Sequence, residues 1–228
     1  MTYDTLIRQA LIIDGSNTPG YVADVGVHAG RIRTIGDLST AQAEQIIDAH
    51  GRVLAPGFID VHTHDDTVVI RQPQMLPKLS QGVTTVIVGN CGISASPVSL
   101  RGDPPDPMNL LGNAEAFAYP RFLDYRAAVE NAHPALNVAA LIGHTALRSN
   151  HMDDLHRTAT ATEIAAMREQ LQESLAAGAL GLSTGLAYAS AFNADTDEVL
   201  QLSEELTAFG AVYTTHLRSE FEPVLEAM

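Results

Sequence analysis

The chain has 228 residues, of which 46% are hydrophobic and 18% charged, with 13 Lys plus Arg against 27 Asp plus Glu and a formal net charge of −14. That much apolar material builds a large core and excludes a disordered, collagenous or disulfide-framed chain; the acidic field excludes nucleic acid and anionic membrane as partners. One cysteine excludes an intrachain disulfide, the start Met1-Thr2-Tyr3-Asp4-Thr5 carries no basic-then-apolar leader, and no apolar run approaches the ~20 residues of a membrane span, so the expected setting is the cytoplasm.

Residues 1–51 read as a small β domain. Tyr3 to Ile13, Ala23 to His28, Arg31 to Ile35 and Gln45 to Ile47 are strand-like, with turns at Asp14-Gly15, Ala29-Gly30 and His50-Gly51, where glycine supplies positive φ. Strands this close together, with no helix between them, predict an antiparallel sheet or sandwich. Ser39 and Gln42 have capping-box spacing, which predicts one helical turn over Ser39 to Glu44.

From residue 52 the pattern changes to α/β. Apolar strand-like runs (Val53 to His62, Val83 to Gly89, Asn137 to Ile142, Gly181 to Leu186, Ala211 to Thr215) alternate with helical candidates at Phe122 to Glu130, Ala161 to Ala177 and Asp197 to Phe209. Thr160 or Thr162 caps the second helix and Gly178 ends it. Leu100 to Tyr119, rich in Pro, Gly and Asn, reads as a surface loop. About five βα units fit, whereas a TIM-like (β/α)8 barrel takes about 250 residues. The expectation is therefore an incomplete (β/α)8 barrel in residues 52–228, the N-terminal part of a longer protein.

Three strand ends carry chemistry. Asp60-Val61-His62-Thr63-His64 follows the first barrel strand. On extended backbone His62 and His64 project the same way and can converge on one ion, with Asp60 placed to orient an imidazole. Gly89-Asn90-Cys91-Gly92 follows the second strand: Cys91 reads as a zinc-binding thiolate or as a buried inert thiol, and the flanking glycines favour the first. Thr215-His216 ends another strand, where a barrel places a further ligand. Gly143-His144-Thr145 ends a fourth, and His144 either touches substrate, orients a site residue or is structural. Lys78, the only lysine, lies between the first two barrel strands, so no lysine stands at the fourth strand end to bridge two metals. Cys91 is the available soft bridge.

These blocks resemble the N-acyl-D-amino-acid deacylases (D-aminoacylases) of the amidohydrolase superfamily. Gly57-Phe58-Ile59-Asp60-Val61-His62-Thr63-His64-Asp65-Asp66 is similar to the family's first-strand motif, and Gln81 to Val86 running into Gly89-Asn90-Cys91-Gly92-Ile93-Ser94 to its second, with the metal-binding cysteine. Gly143 to Arg148, Gly181 to Leu186 and Thr215 to Glu220 resemble later blocks in the expected order. The resemblance implies a zinc enzyme that removes the acyl group from the nitrogen of a small N-acyl-D-amino acid, on a barrel whose small β domain is built from both chain ends. It implies a tight zinc site with Cys91 and His216 and a weaker second site with His62 and His64. Tyr188 matches the family's substrate-holding tyrosine, although Ala189-Ser190-Ala191 replaces the usual Pro-Gly after it.

The family's general-base aspartate and a further zinc histidine fall beyond Met228, so no catalytic residue is assigned within the chain. Arg218, with Arg148, stands as a candidate for the substrate carboxylate. Zinc-acidified water then attacks the amide carbonyl. The alternatives are a cyclic amidohydrolase of the dihydroorotase or hydantoinase type, which needs the absent lysine, and an inactive fragment or pseudoenzyme that lacks the later ligand and base.

Overall fold

A computed structural model describes residues 2–227. The chain divides into two units, Met1–Gly57 and Phe58–Met228.

In the first unit, strands β1 (Tyr3–Ile12), β2 (Tyr21–His28), β3 (Arg31–Gly36), β4 (Ala43–Asp48) and β5 (Val53–Leu54) form one mixed sheet in the order β3-β2-β1-β4, with β5 also on β1. β2 and β3 join through Ala29-Gly30, both at positive φ, as a two-residue hairpin requires. β1 pairs antiparallel with β2 but parallel with β4 and β5, so the sheet is mixed and not antiparallel throughout. A bulge at Gln9 (φ 53°) shifts the β1–β2 register, its N–H bonding the Asp24 carboxylate at 2.8 Å. Ala10, Ile12, Val25 and Ala49 form the unit's small core.

Ser39 to Gln42 is not helical, because tertiary partners take the backbone. The Gln42 carbonyl accepts from Tyr3 N–H, and the Arg8 guanidinium donates to the Ser39 and Ala41 carbonyls. β4 then starts at Ala43 alongside β1.

The second unit is an α/β array: β6 (Phe58–Asp60), α1 (Val68–Arg71), α2 (Leu76–Leu79), β7 (Val83–Val88), α3 (Phe122–Ala132), β8 (Asn137–Gly143), α4 (His144–His151), α5 (Ala161–Ala176), β9 (Gly181–Gly185), α6 (Thr196–Thr207), β10 (Val212–His216) and α7 (Val224–Ala227). The strands form one parallel sheet in chain order, β6 to β10, as barrel strands do. Alternation sorts their faces. Val86, Val88, Ala140, Ile142 and Leu182 pack under Leu147, Met167, Leu171 and Leu202 of the helices, while Leu141, Gly143, Gly181, Ser183 and Gly185 face the other way. The Val53-to-His62 run is two strands: Ala55-Pro56-Gly57 breaks it, and β5 joins the first unit.

Thr160 caps α5 with a full capping box through Glu163, and Asp195 caps α6. The Leu100-to-Tyr119 loop buries Met108, Leu111 and Phe117 against Ile93, Val98 and Ala146, so it packs as a satellite core instead of lying wholly on the surface. Among the described residues no helix is long and apolar enough to cross a membrane.

Candidate metal centre

β6 ends at Asp60 and the chain bends at His62, while the Thr63 N–H still bonds the Ile87 carbonyl of β7, which keeps His62 and His64 at the strand end. The register sets Asp60 beside Val86, a residue of the helix-packed face. Its carboxylate binds Lys78 at 2.7 Å through one oxygen and accepts from the His62 backbone N–H at 3.4 Å through the other, bonding neither imidazole ring, and Lys78 also reaches Asp65 at 3.2 Å. That salt bridge, outweighing partial burial, holds the Asp60 carboxyl below the usual carboxylate range. Asp60 is thus not the imidazole-orienting group its spacing suggested.

Cys91 sits on the turn after β7 with left-handed backbone (φ 55°) between Gly89 (φ 78°) and Gly92 (φ 76°). This turn crosses the ends of β8 and β9 at backbone contact. A Cβ on Gly185 would lie 2.1 Å from the Cys91 carbonyl oxygen, and one on Gly143 2.5 Å from the Gly92 oxygen. Glycine is therefore required on the strands so that the cysteine can lie over them. Asp66 anchors the turn from below, its fully buried carboxyl accepting from Gly89 N–H at 3.3 Å and Ala95 N–H at 3.2 Å; burial pushes its pKa up to about 7.

The outcome is a cluster of three ligand-type side chains, with His216 and a tyrosine at its margin. One donor atom each from His62, His64 and Cys91 lie within 4.8 Å of one another. His62 Nε2 is 3.0 Å from Cys91 Sγ, and His216 Nδ1, outside that group of three, is 3.9 Å from the same sulfur. The Tyr188 hydroxyl stands 3.3 Å from the same His216 nitrogen, with the two rings 5.0 Å apart. Burial pushes the Cys91 thiol up, against the Tyr188 hydroxyl, which pulls it down. Burial, reinforced by neighbouring His62, pushes His64 down, keeping its imidazole neutral and able to ligate. His64 Nδ1 is buried and has no hydrogen-bond partner. A buried donor left orphaned beside a thiol and two further imidazoles suits a soft, tetrahedral ion such as Zn²⁺.

Other candidates are placed elsewhere. His144 and Arg148, on α4, have no exposed surface, and both bind the equally buried Glu198 of α6. His144 Nε2 lies 2.8 Å from Oε1, and the Arg148 guanidinium lies 2.6 and 2.7 Å from the two oxygens. Neither therefore reaches a substrate, which corrects that expectation for both. Arg148 also donates to the Ser190, Leu155 and Arg157 carbonyls, which ties the Tyr188 loop to α4. Arg218 donates to the Phe192 and Ala194 carbonyls of the same loop, so its guanidinium braces backbone and is not offered as a free cation. Ala189-Ser190-Ala191 is a turn held by these arginines, in place of the expected Pro-Gly.

Asp66, Ser183 and Glu198 escaped the sequence reading. For Ser183 a signal existed: in Gly181-Leu182-Ser183-Thr184-Gly185 it is the only side chain on a face otherwise built of glycine.

Comparison with known proteins places the chain in a family. The sequence profile of the amidohydrolase family matches residues 45–228. D-aminoacylase of Alcaligenes xylosoxydans xylosoxydans is 47% identical over 99% of this chain and 46% of its own length; N-acyl-D-aspartate deacylase of the same organism is 48% identical over 99% and 45%. The crystal structure of N-acyl-D-glutamate deacylase from Bordetella bronchiseptica, complexed with zinc and a phosphonate mimic of the tetrahedral intermediate, superposes with a TM-score of 0.95 at 42% identity, over 100% of this chain and 48% of that one. The chain spans about half the length of these relatives. With the profile match covering most of its residues, the chain belongs to the amidohydrolase family.

Proposed function

We propose that the full-length protein is a zinc-dependent hydrolase of N-acyl-D-amino acids, giving a D-amino acid and a carboxylate in the cytoplasm. The observation that carries this reading is the meeting of Cys91 Sγ with His62 and His216 from separate strand ends, with Tyr188 beside it. The relatives named for N-acyl-D-amino-acid hydrolysis, one of them holding zinc, support the substrate class. In this reading residues 1–51 contribute to a small two-layered β domain, and residues 52–228 are the first part of a (β/α)8 barrel that later chain completes.

In this reading Cys91 and His216 would hold the tight zinc, joined by a histidine from later chain, while His62 and His64 would hold a weaker second ion. Zinc, when bound, would lower the pKa of water towards neutrality and offset negative charge developing on the carbonyl oxygen. The chain's own residues prepare that chemistry. Cys91 must give up its proton to ligate, and its left-handed turn aims the sulfur between two imidazoles. Tyr188 presents a hydroxyl next to His216 to hold the substrate. The arginine-braced loop behind it fixes where that hydroxyl stands. The general base is an aspartate of later chain. A cyclic amidohydrolase is disfavoured, since β9 ends in Ser183-Thr184-Gly185 with no lysine.

The test is amine release from N-acetyl-D- and N-acetyl-L-amino acids by the full-length protein, alongside its zinc content. Hydrolysis of the D series only, abolished by chelation and restored by zinc, is the expected result. Turnover confined to cyclic amides, or none on any amide with zinc loaded, rejects the proposal.

A further inference from the structure

Ser183 stands at the fourth barrel strand, on the inward face, with Gly143 of β8 and Thr214 of β10 beside it in register. Its side chain has no exposed surface. The hydroxyl donates to the Gly89 carbonyl at 2.5 Å and accepts from the Gly92 N–H at 3.0 Å, so one oxygen closes both ends of the four-residue turn carrying Cys91. The turn has other anchors: the Gly92 carbonyl accepts from Thr145 N–H at 2.8 Å, Gly89 and Ala95 N–H donate to Asp66, Ile93 N–H donates to the Asn90 carbonyl at 3.0 Å, and the Asn90 side-chain amide donates to the Ile87 carbonyl at 2.9 Å. Among the described residues, the Ser183 hydroxyl alone bonds the glycines on both sides of the cysteine. Gly181-Leu182-Ser183-Thr184-Gly185 also spells the G-x-S-x-G of a serine nucleophile. That role needs an exposed serine on a strand-to-helix turn, whereas Ser183 lies mid-strand, buried, with its hydroxyl committed.

We propose that Ser183 is a positioning residue for the metal centre: its hydroxyl clamps the Gly89–Gly92 turn in the left-handed form that sets Cys91 Sγ between His62 and His216. The inference rests on the thiolate-ligand reading above and deepens it. Left-handed backbone is unfavourable for a side chain such as cysteine, so the turn keeps this shape only while its surroundings hold it. Without the hydroxyl, the Gly89 carbonyl and Gly92 N–H lose their shared partner and the turn is free to relax, moving the sulfur. Groups that orient a metal ligand typically contribute 10–100-fold in affinity.

The experiment is titration of metal-free, full-length protein with Co²⁺, reading affinity and the thiolate-to-cobalt charge-transfer band, for wild type, Ser183→Ala, Ser183→Thr and Cys91→Ala. Folding of each metal-free variant is checked by circular dichroism and thermal unfolding. Ser183→Ala is expected to bind Co²⁺ about tenfold or more weakly with a diminished charge-transfer band, and Ser183→Thr, which keeps the hydroxyl, to retain both. A folded Ser183→Ala with wild-type affinity and full band intensity overturns the proposal, since a purely structural serine would lower thermal stability alone. Should Ser183→Ala not fold, Ser183→Thr decides: a retained band supports the clamp, and loss of the band in a folded protein refutes it. A wild type with no charge-transfer band, and affinity unchanged by Cys91→Ala, would instead show that the thiolate reading itself has failed.

Discussion

Cys91 is the residue on which the candidate centre turns, and its backbone shows the cost of placing it. A side chain in the left-handed region is less stable by roughly 1–2 kcal/mol, and here glycines at 89, 92, 143 and 185 clear the space that conformation needs. Cys91→Ala in the full-length protein is expected to lose most of its zinc, measured by elemental analysis after dialysis; unchanged stoichiometry would refute the thiolate assignment. Gly185→Ala is expected to act at a distance on the same ligand. Its new Cβ would meet the Cys91 carbonyl at 2.1 Å, so the turn must shift, costing about 1–3 kcal/mol in chemical denaturation and lowering zinc content with it. The ligand types were legible in the sequence because each stands at the end of an apolar strand-like run. Asp66 and Glu198 were not, because their meaning lies in partners 23 and 54 residues away; Ser183 stands out as the one side chain on a glycine face, but its turn partner lies 94 residues away. The same distance hid the true role of Arg148, whose charge looked available until Glu198 was seen against it.

At the scale of the element, signals succeeded where they were confirmed by packing and failed where they were purely local. Thr160 and Ser39 both begin a capping-box pattern. Thr160 precedes a helix with Ile164, Met167, Leu171 and Leu175 buried along one face, and the box forms; Ser39 precedes residues that β1 recruits as a strand. α4 was invisible because it starts on the residue after β8, with no linker to mark it. Thr160→Ala is expected to cost about 1 kcal/mol in urea denaturation, through loss of the N-cap. Glu163 adds a pH signature. Hydrogen bonds from the Arg157 guanidinium, then from the Thr160 backbone, hold its carboxyl at about 2, below the ordinary 4.5. A depressed folded pKa means stability that is present above pH 4.5 and is lost as pH falls through 2. The stability gap between wild type and Glu163→Gln should therefore be full at pH 7 and visibly narrower at pH 3. A gap that does not change with pH would show that the ion pair contributes nothing and only the neutral cap remains.

For the molecule as a whole, the alternation of strands and helices made the parallel array legible, but not where the chain passes from one unit to the next. Val53 to His62 is apolar enough to read as one strand, yet Pro56 has no N–H to give a ladder and Gly57 has no side chain to pack, so the run splits between two sheets. Among the described residues, the parallel sheet leaves β6 and β10 each with one neighbouring strand. Those two edges carry the apolar side chains Phe58, Ile59 and Val61 on one side and Val212 and Tyr213 on the other, with Ile59 60% exposed and Val212 43%. Unpaired backbone donors and acceptors beside such side chains are a template for further strand addition, and charge on the edge is the usual protection against it. The 228-residue chain expressed alone is therefore expected to self-associate, with a mass by light scattering that rises with concentration. Ile59→Lys combined with Val212→Lys should suppress that rise, because each lysine must either stay solvated or block a neighbouring strand. A wild-type chain that stays monomeric across the concentration series, and unfolds in one sharp, reversible thermal transition, would show that these edges are closed in solution by something other than a second copy.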